Sequence, residues 1–524
     1  MIAFDKDFKI SKIDVFNTVQ LAVFLHTNMN VSENIIHQII EESEEFRKPN
    51  QSIPLYRKVY QIIRKTILNG ELPNNCQLPA TRILAKKLNL SRSTLVRVYD
   101  LLRLEGLLSS KLGSGHIISF RNIAQMENTE EDLKEEPILS SLGKSFSENT
   151  KLVNSIDDKF IAFRPGLPPL DVFPVTQWRK QANKYWQFIK SSELSYYAEM
   201  GVEPLRKTIS SYLSLSRKIN CDPNQIFIVG GSLQSLFLIG SLLLDKQDQV
   251  LLENPTFPNV HSVFTGLQAK ILAFKIDQQG AKIPQKSKNF NNLKLLHFTP
   301  SCHYPLGVKM SLNRKHEAIK LANDTGAYII ENDYENEINN PNFTDQTIYG
   351  LDKSKKTFYL STFNRILHPS IRVGYMIVPK NLVKAMKALM RHSHLFVSPS
   401  IQFMLNGFIQ DNYLNKHLNQ VQKTNIQRKE KFKKGLKSLN SSQFKMMEFK
   451  VPSLHTTINF SKGISDSDII LKLNQKGIIG HALSKCYFTN TKRQGVIFGH
   501  ASLRTQQMTN KLDILSETLN SAIK

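Results

Sequence analysis

Residues 360–375 read LSTFNRILHPSIRVGY. The stretch ends a β-rich run, places the hydroxyl of Thr362 before a polar pair, and continues with a proline and an Arg-x-Gly-Tyr strand. This order is typical of a cofactor-binding segment, and the chemistry of such a segment requires a lysine at its centre. The centre here is Asn364-Arg365. The stretch therefore raises the question whether it is an active site or the remains of one.

The chain around this stretch, from residue 160 to residue 524, alternates short β-rich runs with helical or loop intervals. The alternation predicts an α/β fold with a parallel, doubly wound sheet. The β-rich runs are NQIFIVGG, DQVLLENP, LKLLHFTP, AYIIENDY and KTFYLSTF.

Residues 51–120 have a different character, since eleven Lys and Arg face three Asp and Glu and leave a net charge of +8. LYRKVYQIIRKTIL has apolar residues at helical spacing, and LPATRILAKKLNL predicts a second helix. SRSTLVRVYDLLRLEGLL predicts a third helix with Ser91 as its N-cap. LSSKLGSGHIISF predicts two short strands around a glycine-rich turn. Three basic helices and a hairpin together predict a winged helix-turn-helix.

The segments on either side of this basic region indicate no chemistry. Residues 1–50 have apolar positions at roughly helical spacing, which predicts a helical N-terminal extension. Residues 121–158 carry nine acids against four Lys and Arg, a net charge of −5, without a sustained apolar period. This composition predicts a flexible acidic linker.

The whole chain has 524 residues and a formal net charge of +25. Single cores rarely grow to that length, so two or more domains are expected. The charge favours a polyanionic partner, although an alkaline composition without functional meaning stays open. The four cysteines are far apart, which argues against a zinc knuckle or a disulfide framework, and no metal site is expected. Without a signal pattern or an apolar run long enough for a bilayer, the chain is expected to be cytoplasmic and free of membrane.

A helix-turn-helix lays its second helix in the major groove of DNA, and that helix begins here at SRSTLVRVY. Hydroxyls and backbone N–H groups at the start of a helix suit phosphates, and arginines suit phosphates or base edges. The glycines of the KLGSGH wing permit a close approach to DNA. Any single arginine here could equally be a solvated surface charge. The candidate DNA-binding residues are Arg82, Ser91, Arg92, Ser93, Thr94, Arg97, Lys111, Gly113, Ser114 and His116.

The run from PLYRKVY to GSGHIIS resembles the winged helix of the GntR family almost end to end. The motifs that carry the resemblance are LPATRILA, the SRST start of the recognition helix, the LEG at its end and the GSG of the wing. The resemblance implies a transcriptional regulator that binds double-stranded operator DNA.

Residues 159–524 resemble the fold type I aminotransferase-like domain, which uses pyridoxal phosphate. A GntR winged helix joined to such a domain is the architecture of the MocR subfamily. The resemblance implies a multidomain protein: an α+β winged helix at 51–120 and an α/β effector and dimerisation domain at 159–524, with a small α+β subdomain from about residue 400. The segments that carry the resemblance are FRPGLPPLDVFPVTQWRK, YYAEMGVEPLRKTISSYL, VGGSLQSLFLIGSLLLDKQDQVLLENPTFP, FTPSCHYPLGVKMS, IIENDYENEI and residues 360–375.

The resemblance also implies a cofactor phosphate site, and the residues present can form one. Gly231 and Ser232 would open a helix whose N–H groups bind an anion, although such a turn alone can be an ordinary connection. Thr362 offers a hydroxyl and Arg372 offers a charged donor. The remaining candidate cofactor-binding residues are Phe257, Asp333, Tyr334, Asn364 and Arg365.

The reactive end of this site departs from the family's pattern. Family members place the lysine that forms a Schiff base with the cofactor where this chain has Arg365. Arginine cannot be deprotonated at useful pH, so it cannot be that nucleophile. The acid that faces the pyridine nitrogen falls on Asn332, unless a slip of one residue places Asp333 there. Lys309 is the candidate for a displaced lysine, and Cys302 is either a reactive thiol or a small packing residue.

Together these features favour a transcriptional regulator whose aminotransferase-like domain has no catalytic residues and forms a homodimer. The domain would sense pyridoxal phosphate or another small anionic ligand without a covalent bond, or bind no cofactor at all. The alternative is a working aminotransferase that uses a displaced lysine. A third hypothesis is a dimer that binds DNA and does not respond to ligands.

Overall fold

The computed structural model divides the chain into two compact units, Met1–Pro137 and Ile138–Lys524. Each unit has a hydrophobic core of its own. The structure describes residues 33–43, 46, 53–72, 74–111, 115–119, 138–149, 162–195, 197–284, 290–339, 345–393, 396–437, 439, 442–449, 451–490 and 492–521.

The smaller unit contains the predicted winged helix-turn-helix. Its three strands form an antiparallel sheet in the order β1-β3-β2, and the β2-β3 hairpin is the wing. The described elements are, in chain order, α1 (Glu33–Glu42), α2 (Leu55–Leu68), β1 (Gln77–Leu78), α3 (Thr81–Lys87), α4 (Arg92–Leu104), β2 (Leu108–Lys111) and β3 (Gly115–Ile118).

The core of this unit follows from the apolar spacing of its helices. Val59, Ile62, Ile63 and Ile67 lie on one face of α2 and are buried. They share a single cluster with Leu95, which lies on the buried face of α4. This face therefore fixes the two longest helices of the winged helix against each other.

Helix α1 belongs to the same core, which the sequence did not indicate. Ile36 and Ile40, one turn apart, are both buried in the cluster formed by the winged helix. Helix α1 contacts α2 and α3. The described part of the predicted N-terminal extension thus supports the three-helix unit.

The larger unit is an aminotransferase-like α/β fold with a small α+β subdomain at its C-terminal end. Its first eight helices are α5 (Ser141–Glu148), α6 (Val175–Phe188), α7 (Glu203–Arg217), α8 (Ser232–Leu243), α9 (Pro258–Gly266), α10 (Leu312–Thr325), α11 (Asn336–Asn339) and α12 (Ile348–Leu351). The remaining described helices are α13 (Val383–Ser393), α14 (Pro399–Gln410), α15 (Tyr413–Gly435), α16 (Asp466–Gln475) and α17 (Thr505–Ser521).

The main sheet of this unit has eight strands in the order β4-β11-β10-β9-β8-β5-β6-β7. The strands are β4 (Ile226–Val229), β5 (Gln249–Asn254), β6 (Lys270–Asp277), β7 (Gly280–Lys282), β8 (Leu293–Phe298), β9 (Tyr328–Asn332), β10 (Thr357–Thr362) and β11 (Gly374–Ile377). Both faces are covered: Ile226 and Ile228 of β4 point into one buried cluster, Phe227 and Val229 into another.

The prediction of a parallel sheet is right for β5, β6, β8, β9 and β10 and wrong for two strands. Strand β11 runs antiparallel to β4 and β10, and β7 runs antiparallel to β6. The reason is the length of the connection, because a parallel crossover needs about a dozen residues or more. The turn before β7 and the segment before β11 are too short for a helical crossover.

The small subdomain packs helices against an antiparallel sheet in the order β12-β13-β15-β14. Helices α15, α16 and α17 supply buried apolar residues to its core, with Phe432 and Leu512 among them. The strands are β12 (Phe444–Met446), β13 (Thr456–Phe460), β14 (His481–Ala482) and β15 (Gly495–Phe498).

Helix α5 lies inside the segment predicted to be a flexible linker. Ser140 caps the helix by accepting a hydrogen bond from Gly143 N at 3.0 Å. The ring of Phe146 packs against Gly266 and lies 5.9 Å from the ring of Phe237. The linker prediction is therefore wrong for residues 141–148, where one aromatic side chain attaches the chain to the larger unit.

No helix in the described ranges has the length and apolar composition needed to cross a membrane.

Candidate ligand cavity and nucleic-acid interface

A cavity of about 500 Å³ lies in the larger unit, at the carboxyl ends of β5, β8, β9 and β10. Ligands of open α/β sheets bind at this edge, because the loops that follow parallel strands converge there. The sequence-predicted residues that line the cavity are Gly231, Ser232, Phe257, Asn332, Tyr334, Thr362, Asn364, Arg365 and Arg372.

One end of the cavity, called the phosphate end below, is formed by the start of α8 and by the segment after β10. Gly231 is the N-cap of α8 and has a φ of 134°, a conformation that favours glycine. The Ser232 hydroxyl is buried and has no hydrogen-bond partner among the residues that the structure describes. Arg372, which lies just before β11, has a left-handed backbone conformation. No described residue accepts a hydrogen bond from its guanidinium. A helix N-terminus, a free hydroxyl and a free guanidinium together suit a phosphate.

Asn364 and Thr362 hold the shape of the phosphate end. The Asn364 side chain accepts a hydrogen bond from Val373 N at 3.1 Å and donates one to Gly230 O at 3.4 Å. The Thr362 hydroxyl accepts from Asn364 N at 3.2 Å and donates to Val373 O at 3.3 Å. Thr362 therefore connects the end of β10 to the segment before β11, and Asn364 connects that segment to the turn before α8.

The other end, called the arginine end below, contains Arg365. Its guanidinium lies 5.5 Å from the centre of the Tyr334 ring. The nearest carboxylate oxygen is Glu335 Oε1, at 4.0 Å. Burial raises the pKa of Glu335, although Arg365 opposes this shift. The protein therefore neutralises the Arg365 guanidinium only weakly. This end presents a guanidinium to a ligand, and not a lysine amine.

Asn332 and Asp333 follow each other at the end of β9 and point to opposite sides. Asn332 lines the cavity, with its amide nitrogen 3.3 Å from His297 Nε2 and its carbonyl oxygen without a partner. Asp333 forms a buried ion pair with Arg217 and accepts a hydrogen bond from Tyr359 at 2.8 Å. The assignment of Asp333 as a ligand-binding residue is therefore wrong, because its carboxylate is used on the face away from the cavity. The side chain that faces the cavity is the amide of Asn332.

Lys309 does not replace the missing lysine. Its amine forms an ion pair with Asp345 and lines a different cavity, which Lys218 and Lys315 also line. Among the described residues that line the ligand cavity there is no lysine. A displaced Schiff-base lysine is not found where the alternative requires one.

Three further predicted residues have defined surroundings. Phe257 lies edge-on to Tyr304, with ring centres 5.3 Å apart, and exposes its ring to the cavity. The Tyr334 hydroxyl donates to Cys302 O at 3.0 Å, so its hydrogen is not available to a ligand. Burial raises the pKa of the Cys302 thiol, which favours the packing role over the reactive one.

Pyridoxal phosphate fits this cavity in part. The unpartnered Ser232 hydroxyl, the start of α8 and Arg372 suit its phosphate. No described lining residue offers the amine that would bind its aldehyde, and Asn332 offers no carboxylate to its ring nitrogen. The phosphate end fits the cofactor, whereas the arginine end does not fit its covalent chemistry.

The recognition helix of the smaller unit is α4, as its sequence indicates. The Ser91 hydroxyl accepts a hydrogen bond from Thr94 N at 3.2 Å and also contacts the hydroxyls of Ser93 and Thr94. Arg92 and Ser93 are exposed in the first turn, and Arg82 is exposed on α3. The start of α4 thus presents N–H groups, hydroxyls and an arginine together, as a phosphate-binding helix terminus does.

Two other predicted DNA-binding residues contact aromatic rings of the same unit. Arg97 is exposed on α4, and its guanidinium lies 3.9 Å from the centre of the Tyr56 ring of α2. The His116 ring packs edge-on against Tyr99 at 5.0 Å, so it is a packing residue of the sheet. The Lys111 side chain, Gly113 and Ser114 lie outside the described residues.

Two family models match this chain. The model described as "Bacterial regulatory proteins, gntR family" matches residues 55–118. The model described as "Aminotransferase class I and II" matches residues 160–466, which is more than half of the chain.

Two relatives are similar to this chain over most of their length. The probable rhizopine catabolism regulatory protein MocR of Rhizobium meliloti is 26% identical over 464 residues, 88% of this chain and 93% of that protein. The HTH-type pyridoxine biosynthesis transcriptional regulator PdxR of Corynebacterium glutamicum is 22% identical over 454 residues, 87% of this chain and 93% of that protein. The kynurenine aminotransferase structure from Pyrococcus horikoshii matches with a TM-score of 0.64 at 20% identity, over 77% of this chain and 100% of that one. The structural match shows the fold.

Proposed function

The chain belongs to the aminotransferase class I and II family and to the MocR subfamily of GntR-type transcriptional regulators, and from this premise we propose that its larger unit is a non-catalytic ligand sensor. It holds a small aromatic phosphate, such as pyridoxal phosphate, without a covalent bond. Ligand binding changes how two winged helices of a homodimer are placed on operator DNA. A ligand can do this only if it binds the two arrangements with different affinity.

The observation that carries the proposal is the contrast within residues 362–372. Arg372 and the unpartnered Ser232 hydroxyl line the end of the cavity that would hold the phosphate, and Thr362 supports this end. Arg365 lies between Thr362 and Arg372 in sequence, at the position where the reaction of the family requires a lysine. A site of this kind can bind the cofactor's phosphate and cannot attack its aldehyde.

The dimer is proposed on the apolar surface of α6 and the turn after it. Trp186, Phe188 and Leu194 are 59%, 68% and 66% exposed. Three large apolar side chains close together in sequence are unusual on a solvated surface and are typical of an interface. A symmetric dimer presents two winged helices to two half-sites of DNA.

The coupling to DNA binding is proposed through α5. Phe146 of α5 contacts Phe237 of α8 and Gly266 of α9, and the Ser145 hydroxyl donates to Thr265 O at 2.9 Å. Helices α8 and α9 are also the two helices whose N-terminal ends line the ligand cavity. A shift of α8 and α9 on ligand binding would therefore move α5, which lies in the segment that connects the larger unit to the DNA-binding unit in sequence.

The working-aminotransferase alternative has no observation in its favour, because Lys309 is paired with Asp345 away from the cavity. An experiment distinguishes the proposal from the third hypothesis, a dimer that binds DNA and does not respond to ligands. Fluorescence anisotropy of a labelled duplex, selected by the protein from a random pool, measures DNA affinity with and without pyridoxal phosphate at fixed salt. The proposal expects a change of at least about threefold, and unchanged affinity at saturating ligand would leave the ligand-blind dimer.

The same assay tests the DNA interface with a matched pair of variants on α4. Arg92→Ala is expected to weaken binding by about 1–3 kcal/mol, because the variant loses a charged contact from the exposed first turn of the recognition helix. Arg103→Ala removes an exposed arginine at the far end of α4, where it pairs with Asp100 at 3.0 Å, and is expected to bind almost as the parent does. Equal losses in both variants would move the interface away from the start of α4.

A further inference from the structure

Arg365 carries a charge that the protein leaves incompletely neutralised. Its side chain is 22% exposed, and in the described part of the chain no group accepts a hydrogen bond from it. Glu335, its nearest carboxylate, is held by Ser453 through a hydrogen bond of 2.9 Å to its other oxygen. Burial raises the pKa of Glu335, and Arg365 opposes that shift. A ligand in the cavity therefore meets a guanidinium with donors to spare.

The guanidinium contacts two neighbours that are present without a ligand. A β-carbon on Gly166 would overlap Arg365 Nη1, so the guanidinium lies directly against the backbone of Gly166, whose φ is +82°. The centre of the Tyr334 ring lies 5.5 Å away. A planar guanidinium with unused donors matches the two oxygens of a carboxylate.

The positive charge of the cavity favours a ligand with more than one anionic group. The described residues that line it include Arg365 and Arg372, and no aspartate or glutamate is among them. A phosphate at the phosphate end answers Arg372 and the start of α8. The nearest anionic group to Arg365 is then still Glu335, at 4.0 Å.

We propose that the ligand is an aromatic phosphate monoester that carries a carboxylate on the ring carbon facing Arg365. The phosphate lies at the start of α8 with Arg372, and the carboxylate forms a forked pair with Arg365. This inference rests on the proposed function, since it takes the phosphate end as occupied. The carboxylate takes the place of the aldehyde that a lysine would attack. An arginine at the position of the family's lysine therefore changes the preferred ligand from an electrophile to an anion. A cavity of about 500 Å³ suits a ligand of this size.

Two probes that differ at one ring substituent test the inference. Both are phosphorylated pyridines: 4-pyridoxic acid 5′-phosphate has a carboxylate at the ring position in question, and pyridoxine 5′-phosphate has a hydroxymethyl group there. Isothermal titration calorimetry of the full chain measures their affinity ratio in the parent, in Arg365→Gln and in Arg372→Gln. Thermal unfolding of each variant reports whether it is folded, and Arg365→Met serves in its place if Arg365→Gln is not.

The parent is expected to prefer the carboxylate probe by about tenfold or more, as a charge-assisted forked pair provides. Arg365→Gln is expected to abolish the preference while keeping the affinity for pyridoxine phosphate, and Arg372→Gln to weaken both probes equally. Equal affinity of the two probes in the parent, or a preference that persists in Arg365→Gln, overturns this inference and leaves the proposed function standing. If neither probe binds the parent, both are overturned.

Discussion

The two ends of the ligand cavity differ in what they can do, although they share one segment of chain. The phosphate end has a helix N-terminus, a free Ser232 hydroxyl and Arg372, and it can hold an anion as the fold family does. The arginine end has Arg365 and Asn332 where amine chemistry needs a lysine and a carboxylate. The difference teaches that holding a phosphate and reacting with an aldehyde depend on separate side chains. One ability can be present in a cavity without the other.

The largest expected effect comes from restoring the amine. Arg365→Lys is expected to change the protein from one without a pyridoxal phosphate adduct to one with a stoichiometric adduct, because the phosphate end already positions the cofactor. Visible absorption and borohydride trapping, followed by peptide mapping, locate the adduct. Arg365→Gln is the control and is expected to form none. An Arg365→Lys variant that binds the cofactor without an adduct would show that the two ends are not aligned for this ligand.

A large effect on stability is expected from the residue next to the cavity rather than in it. Asp333→Asn leaves the buried Arg217 without its counter-charge and is expected to lower the free energy of unfolding by about 3–5 kcal/mol. Asn332→Ala, one residue earlier on the cavity face, is expected to cost about 1 kcal/mol. Chemical denaturation measures both. If Asp333→Asn were as stable as the parent and bound ligand poorly, Asp333 would be the ring partner after all.

A smaller effect is expected at the phosphate end. Arg372→Gln removes a charge-assisted hydrogen bond and is expected to weaken pyridoxine phosphate by about 10- to 100-fold, with little change in stability because the side chain is exposed. Arg179→Gln, an exposed arginine on α6, is the matched control and is expected to bind as the parent does. Calorimetry decides. Equal affinities in the two variants would place the phosphate elsewhere.

The smallest effect separates folding from binding by pH. Burial raises the pKa of Glu331 and of Glu337 to about 7, in the cluster around Asp333 away from the cavity. Between pH 6.5 and 8 the folded state binds protons at these carboxyls that the unfolded state has lost, so each carboxyl lowers the free energy of unfolding by about 1 kcal/mol as pH rises. Buried histidines such as His297 and His500, whose pKa values are lowered by burial, act in the opposite direction. The measured quantity is therefore the difference in free energy of unfolding between Glu331→Gln and the parent, which is expected to change by about 1 kcal/mol in favour of the variant over this window. A difference that does not change with pH would contradict the assignment.

The sequence predicted the local features well, because they depend on neighbours in the chain. Helical apolar spacing placed α2 and α4, and the Ser91 cap starts α4 as expected. The phosphate end was predicted through the resemblance and not from local spacing, because the Gly-Ser turn before α8 lies far in sequence from the segment after β10, and the fold brings both to one cavity.

The features that the sequence did not predict depend on distant contacts. Alternation along β9 was not enough to tell Asn332 from Asp333, because the choice is made by Arg217 on α7. Phe146 lies in a polar, acidic segment and is ordered by a partner on α8 that only the fold reveals. The contact between the Arg97 guanidinium and the ring of Tyr56 on α2 was likewise not predicted. A lone aromatic in a polar linker is the one signal that could have marked α5 beforehand.

The most direct test of the account is a titration of the parent protein with pyridoxal phosphate, followed by calorimetry and by visible absorption, and then reduced with borohydride. The account predicts saturable binding with no lysine of the cavity trapped, since Arg365 occupies the reactive position. A stoichiometric adduct on a lysine in the cavity would contradict it, because the cavity would then contain a working substitute for the missing amine.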